Sequence, residues 1–159
     1  MGPEGELVAG RLARGCRCFA AWIDGGLGGY GWLSTGPEWI GEVQLEIRPG
    51  PGEGYVWNCV TVPDHRRKGI FRSLLIGISG LARADGMKRL WIGSVAIPAE
   101  KALGQTGFRP ALHFTSVTFA GVHIARVYPA LDPTLADAAS SVLGSRARLR
   151  AWRSHPRRH

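Results

Sequence analysis

Arg66-Arg67-Lys68-Gly69-Ile70-Phe71, near the middle of a 159-residue chain, sits where one sequence periodicity gives way to another. Before it runs an apolar stretch, Tyr55-Val56-Trp57-Asn58-Cys59-Val60-Thr61-Val62, closed by the turn signal Pro63-Asp64. After it Ile70, Phe71, Leu74, Leu75, Ile78, Leu81 and Ala82 recur at spacings of three and four, as on a helix with one buried face. A strand, a basic glycine-containing loop and a helix N-terminus in that order make an anion cradle. The N–H groups of a first helical turn have no intrahelical acceptor, and the helix dipole adds partial positive charge there. Gly69 lets the backbone come close to a ligand, and Arg66, Arg67 and Lys68 bring full charges. A dense anion such as a pyrophosphate is the expected guest. The other phosphate motifs do not fit: there is no G-x-x-x-x-G-K-[ST] run, and no G-x-G-x-x-G opens a helix.

Outward from this junction, residues 7–14 are expected as a short helix, and 18–24 and 27–35 as strands joined at Gly25-Gly26. Residues 39–48 read as a third strand, with Val43, Leu45 and Ile47 on one face and Glu42, Gln44 and Glu46 on the other. The helix from Ile70 is expected to stop at Asp85-Gly86, with Gly77 and Gly80 inside it packed closely on a sheet. A strand over 88–95 and a short helix over 98–105 follow. A hairpin of 109–119 and 122–128 then turns at Ala120-Gly121, placing His113 and His123 opposite each other by rough register. Asp132-Pro133 signals the cap and first residue of a helix to Leu143. The order predicts an α+β fold: a mixed, mostly antiparallel sheet with one parallel crossover and flanking helices.

Read together, the loop and the segment after it resemble the GNAT superfamily of N-acyltransferases. Arg66 and Gly69 match the family's R/Q-x-x-G-x-G/A acyl-CoA signature at the right spacing, while Phe71 stands where Gly or Ala is usual. The family's second block, N-x-x-A, then Tyr, then Gly-Phe, has counterparts in Ala96, Ala99, Leu103 and Gly107-Phe108. The resemblance covers about residues 19–128. It implies a central parallel strand pair that splays apart, with the acyl thioester in the resulting V. The backbones of Cys59, Val60 and Thr61 would meet the pantetheine amides, and 66–72 (Arg66, Arg67, Lys68, Gly69, Ile70, Phe71, Arg72) would hold the pyrophosphate. Where relatives use a Tyr to protonate the departing thiolate, Leu103 has no proton to give. Phe71 leaves the cradle intact only if its side chain turns into the core.

Length and composition are those of one domain over 1–143 with a tail over 144–159. Apolar residues make up 45%, without a bilayer-spanning run or a signal segment, so a cytoplasmic protein with no membrane partner is expected, as monomer or homodimer. Cys16, Cys18 and Cys59 read as reduced thiols, and no zinc-type spacing is present, so no metal is expected. Residues 1–143 hold fourteen Lys and Arg against all twelve acidic residues. Six of the eight net positive charges therefore fall on the tail, in Arg146, Arg148, Arg150, Arg153, Arg157 and Arg158, with Trp152 among them. Such a tail is either a solvated end or an electrostatic arm for RNA.

Acyl transfer to an amine needs an aligned neutral amine, a proton acceptor and a donor for the developing oxyanion. Glu42 and Glu46 are the carboxylates nominated as base, Asn58 is a polar residue in an apolar run that can line the cleft, and the Val60 N–H is the nominated oxyanion donor. Three readings stay open. The first is an acyl-CoA-dependent (acetyl-CoA) N-acetyltransferase acting by direct attack in a ternary complex on a small-molecule or peptide amine. The second is the same fold with aminoacyl-tRNA as donor, held by the basic tail. The third is an inactive GNAT-like binding module.

Overall fold

The first long-range pairing joins β1 (Arg17–Ile23) to β2 (Gly26–Ser34), antiparallel. Their turn is Asp24-Gly25, both with positive φ (49° and 79°), one residue earlier than the expected Gly25-Gly26. Paired left-handed residues match the twist of a two-residue hairpin. The computed structural model describes residues 5–41, 45–94, 97–119 and 122–144. It divides into two compact units, one of residues up to Gly36 with Pro49–Phe108, the other of Pro37–Arg48 with the residues from Arg109 on.

In the first unit, α1 (Gly5–Ala13) precedes the hairpin, and a four-stranded sheet runs β1-β2-β5-β6. β5 (Glu53–Thr61) is antiparallel to β2, and β6 (Arg89–Ile92) is parallel to β5. Between them lie a 3₁₀ turn, Pro63–His65, and α2 (Ile70–Ala84), whose bounds are those the periodicity predicts. Its end is fixed by Gly86 (φ 81°): Gly86 N–H donates to Arg83 O and Met87 N–H to Ala82 O, the two bonds of a Schellman stop. α3 (Ile97–Gly104) closes the unit. Leu74, Leu75, Ile78 and Ala82 of α2 bury against Leu33 of β2 and Val56 of β5. Each fully buried large aliphatic side chain here contributes about 1.5–3 kcal/mol. Leu81 is half exposed, and so is Ile76. Gly77 and Gly80 lie on the open side of α2, where an added Cβ would meet nothing within 4 Å, so they do not pack on the sheet.

The second unit holds β3 (Glu38–Ile40), β4 (Leu45–Ile47), β7 (Leu112–Phe119), β8 (Val122–Pro129) and α4 (Pro133–Val142). The single strand expected over 39–48 is in fact two. The two pair with each other antiparallel, Glu38↔Ile47 and Ile40↔Leu45. Leu45 and Ile47 are buried as the alternation requires. The tight register Phe119↔Val122 carries His113 to Tyr128 and His123 to Thr118, so the two histidines are not opposite each other. α4 starts as expected, with Asp132 Oδ1 accepting from Leu135 N–H at 3.1 Å. The chain leaving α4 returns to β4: Arg48 N–H donates to Val142 O (2.7 Å) and Gly144 N–H to Glu46 O (2.8 Å). The expected Ala120-Gly121 turn and the arginines of the tail fall outside the described residues.

Candidate active site

β5 is held to β6 at one end only. Glu53, at the start of β5, accepts from Arg89 Nη1 (2.9 Å) and from Trp91 Nε1 (2.8 Å), two residues of β6. The parallel register then runs Glu53↔Arg89 to Val56↔Ile92 and ends, while β5 continues for five more residues, Trp57–Thr61. In the same stretch β2 takes two steps, Tyr30 to Trp32, where β5 takes three, Val60 to Trp57. The extra residue is a β-bulge, and Asn58 sits in it with φ 44°. A bulge bends its strand and sharpens the local twist, and this one lies just past the end of the β5–β6 register. Within this sheet the parallel pair lies at one margin and not at the centre the resemblance implies.

The bulge also needs room on the other side. Gly29 of β2 supplies it: a Cβ there would lie 2.7 Å from the Val60 carbonyl oxygen and 3.1 Å from Ile70. Backbone cannot step aside for a methyl group, so the close approach of β2, the bulge and the start of α2 depends on a bare Cα. Cys59 faces the core cluster, with its Sγ 3.8 Å from Trp57 O, and burial pushes its thiol up to about 12. A thiol kept protonated in this way is no nucleophile.

The loop that follows has the shape of an anion nest. Arg67 (φ 62°) and Gly69 (φ 79°) are both left-handed, flanking Lys68. Such alternation turns successive N–H groups toward one side. Arg66 N–H is used by Pro63 O, whereas Gly69, the cap residue before α2, offers no side-chain acceptor, leaving the first-turn N–H groups of Ile70, Phe71 and Arg72 to an outside acceptor. Arg66, Arg67 and Lys68 are exposed. Phe71 packs against the cluster of Leu33, Val56 and Leu75, so its ring is turned inward and the mouth of the nest stays clear.

Of the residues singled out from sequence, the structure brings Asn58, Cys59, Val60, Thr61 and 66–72 together along one strand–turn–helix of the first unit. Glu46 belongs to the second unit, where its Oε2 accepts from Arg48 Nε at 2.7 Å, and Glu42 falls outside the described residues. Leu103 packs on the same core cluster as Phe71, so the position gives no acid. Three residues of the site carry no sequence signal: Gly29 in a glycine-rich strand, Glu53 in a loop-like stretch, and His65, whose Nδ1 is buried without a hydrogen-bond partner. Among the described residues no cluster of three His, Cys, Asp or Glu is arranged to hold a metal, and no helix is long and apolar enough to cross a membrane.

The end of the parallel register, the bulge and the nest at the following helix thus lie along one continuous stretch of chain. The sequence profile of the acetyltransferase (GNAT) family matches residues 4–107, well over half of the chain, and the chain belongs to that family, whose reaction is acyl-CoA-dependent acetyl transfer. No curated protein sequence matches it. Its fold is similar to that of IAA acetyltransferase from Bacillus cereus ATCC 14579, with TM-score 0.53 at 18% identity over 77% of this chain and 79% of that one. It is also similar to AAC(6')-Iy, solved in complex with the bisubstrate analog CoA-S-monomethyl-acetylneamine, with TM-score 0.53 at 14% identity over 69% of this chain and 75% of that one. An acetyltransferase of Trypanosoma brucei matches with TM-score 0.50 at 17% identity, over 72% of this chain and 75% of that one. At these identities the likeness is one of fold.

Proposed function

We propose that the protein is an N-acetyltransferase that moves the acetyl group of acetyl-CoA to a primary amine by direct attack in a ternary complex. The observation that carries this reading is the continuity of bulge and nest: Asn58 to Thr61 run straight through the 3₁₀ turn into Arg66–Gly69 and the uncapped start of α2. In this reading the exposed cations and first-turn N–H groups hold the pyrophosphate. The backbones of Cys59, Val60 and Thr61, beyond the end of the β5–β6 register, bond the pantetheine amides. Asn58 lines the cleft beside them.

The amine nitrogen bonds to the thioester carbonyl carbon, the Val60 N–H stabilises the oxyanion, and the carbon–sulfur bond then breaks. The ammonium proton passes to Glu42 or Glu46, the carboxylates the sequence nominates. The sulfur leaves as a thiolate, which near neutral pH needs no acid at Leu103. Cys59, partly buried against the core with its thiol pushed up by that burial, supports direct attack rather than a covalent enzyme intermediate.

Equilibrium binding of acetyl-CoA and of tRNA, each at several salt concentrations, tests the reading. Acetyl-CoA is expected to bind in the micromolar range, and tRNA weakly at physiological salt. Tight tRNA binding with no acetyl-CoA binding would replace the donor by aminoacyl-tRNA. Deletion of the arginine-rich tail is made after Gly144, because Leu143 pairs with Ile47 and Gly144 bonds Glu46. That deletion is expected to leave acetyl-CoA affinity unchanged.

A further inference from the structure

One contact beside the nest joins residues 33 positions apart. Arg72, in the first turn of α2, donates from Nη1 to Oε1 of Gln105 at 3.2 Å. Gln105 lies directly after α3, in the turn that Thr106 closes through its own hydroxyl on Leu103 O at 2.7 Å. The other terminal nitrogen of Arg72, Nη2, lies 3.8 Å from where a Cβ would stand on Gly69. The guanidinium is thus tethered at one corner and lies with another over the one residue of the loop that presents bare backbone. Arg72 is exposed, and an exposed arginine without a tether is spread over many rotamers. Restricting it in advance removes an ordering cost that a ligand otherwise bears on binding.

We propose that Gln105 is a positioning residue for donor recognition: by holding Arg72 across Gly69, it makes that guanidinium the fourth cation of the nest beside Arg66, Arg67 and Lys68. This rests on the acyl-CoA reading above. The amide oxygen is suited to the task because it accepts from one edge of the guanidinium without neutralising it, leaving the remaining N–H donors and the full charge for a phosphate. A carboxylate at 105 would hold Arg72 as well but cancel its charge. The tether also links the end of α3 to the start of α2, so the turn that carries Gly107-Phe108 shares in shaping the donor site.

The test is a double-mutant cycle read by calorimetry with acetyl-CoA and by initial rates with any accepted amine. Gln105→Ala is expected to weaken acetyl-CoA binding about five-fold and to raise its KM alike, with kcat and the KM of the amine within about two-fold of wild type. Arg72→Ala is expected to cost more, and the double variant no more than Arg72→Ala alone, because Gln105 acts only through Arg72. Gln105→Glu, which keeps the tether and adds a negative charge, is expected to bind no better than Gln105→Ala. Unchanged affinity in Gln105→Ala, or losses that add in the double variant, would overturn the proposal while leaving the acyl-CoA reading intact. A wild type that fails to bind acetyl-CoA would remove both.

Discussion

Val56 is the last residue of β5 to pair with β6, opposite Ile92, and Asn58 two positions on has left the extended region altogether. The end of the β5–β6 pairing and the bulge therefore fall within two residues of each other. The core keeps Val56 in place from the α2 side, and Glu53 fastens the start of β5 through Arg89 and Trp91.

Asn58 tolerates φ 44° because its short polar side chain is compatible with the left-handed region. Asn58→Gly is expected to leave stability within about 0.5 kcal/mol of wild type, and Asn58→Val to cost about 2 kcal/mol, since a β-branched residue is strained there. Urea unfolding measures both. Equal stabilities for the two variants would mean that the bulge relaxes into a regular strand.

Gly69 combines a positive φ with room at its Cα, where Arg72 Nη2 at 3.8 Å is all that comes within 4 Å of an added Cβ, so two substitutions separate strain from obstruction. Gly69→Ala is expected to lower stability by about 1 kcal/mol and to weaken acetyl-CoA binding. Gly69→Asp adds negative charge at the nest and is expected to abolish binding while unfolding remains cooperative. Micromolar affinity surviving in Gly69→Asp would show that the pyrophosphate lies elsewhere.

Phe71 serves the core. Phe71→Ala is expected to destabilise the fold by about 2 kcal/mol, less than a wholly buried phenylalanine because the ring is only partly covered. Under conditions where it is folded, its acetyl-CoA affinity should match wild type. A variant of native stability with altered affinity would place the ring at the ligand instead.

Cys59 gives a signature in alkali. Its folded thiol keeps its proton to about 12, against 9.0 for the ordinary group, because it is buried. Above 9.0 the unfolded thiol ionises and the folded one does not, so this contribution to stability is complete below 9.0 and is lost as pH rises toward 12. Wild type is expected to lose stability more steeply over that window than Cys59→Ala. At pH 8 a thiol reagent should modify exposed Cys18 quickly, partly buried Cys59 more slowly, and buried Cys16 only on unfolding. Native-state labelling of Cys59 as fast as that of Cys18 would contradict its raised thiol.

The proposed base is tested by Glu42→Gln and Glu46→Gln. One of them is expected to lower kcat steeply at neutral pH, with partial recovery at higher pH as free amine becomes abundant. Glu46 is already paired with Arg48, whose side chain is largely exposed, and such a surface pair contributes little to stability, so replacing Glu46 should change unfolding by less than about 1 kcal/mol. Two variants of full activity from pH 6 to 9 would hand the role to water.

What the sequence determined by itself was local. The bounds of α2, the Gly86 stop, the Asp132 cap and the basic turn before Ile70 follow from residues within a few positions of one another, and spacing alone reveals them. The family likeness came from the same segment. Tertiary structure decided what depends on partners far along the chain. Whether 39–48 is one strand or two rests on which strand pairs with it, and the pairing of Glu38–Ile40 with Leu45–Ile47 settles that against the continuous alternation. Whether Phe71 blocks the nest rests on which way its ring points, and the cluster around Leu75 turns it inward. The anchoring of β6 by Glu53 and of Arg72 by Gln105 spans 38 and 33 positions. No periodicity encodes such pairs, because a side chain's direction is fixed by the packing that surrounds it and not by its neighbours in sequence.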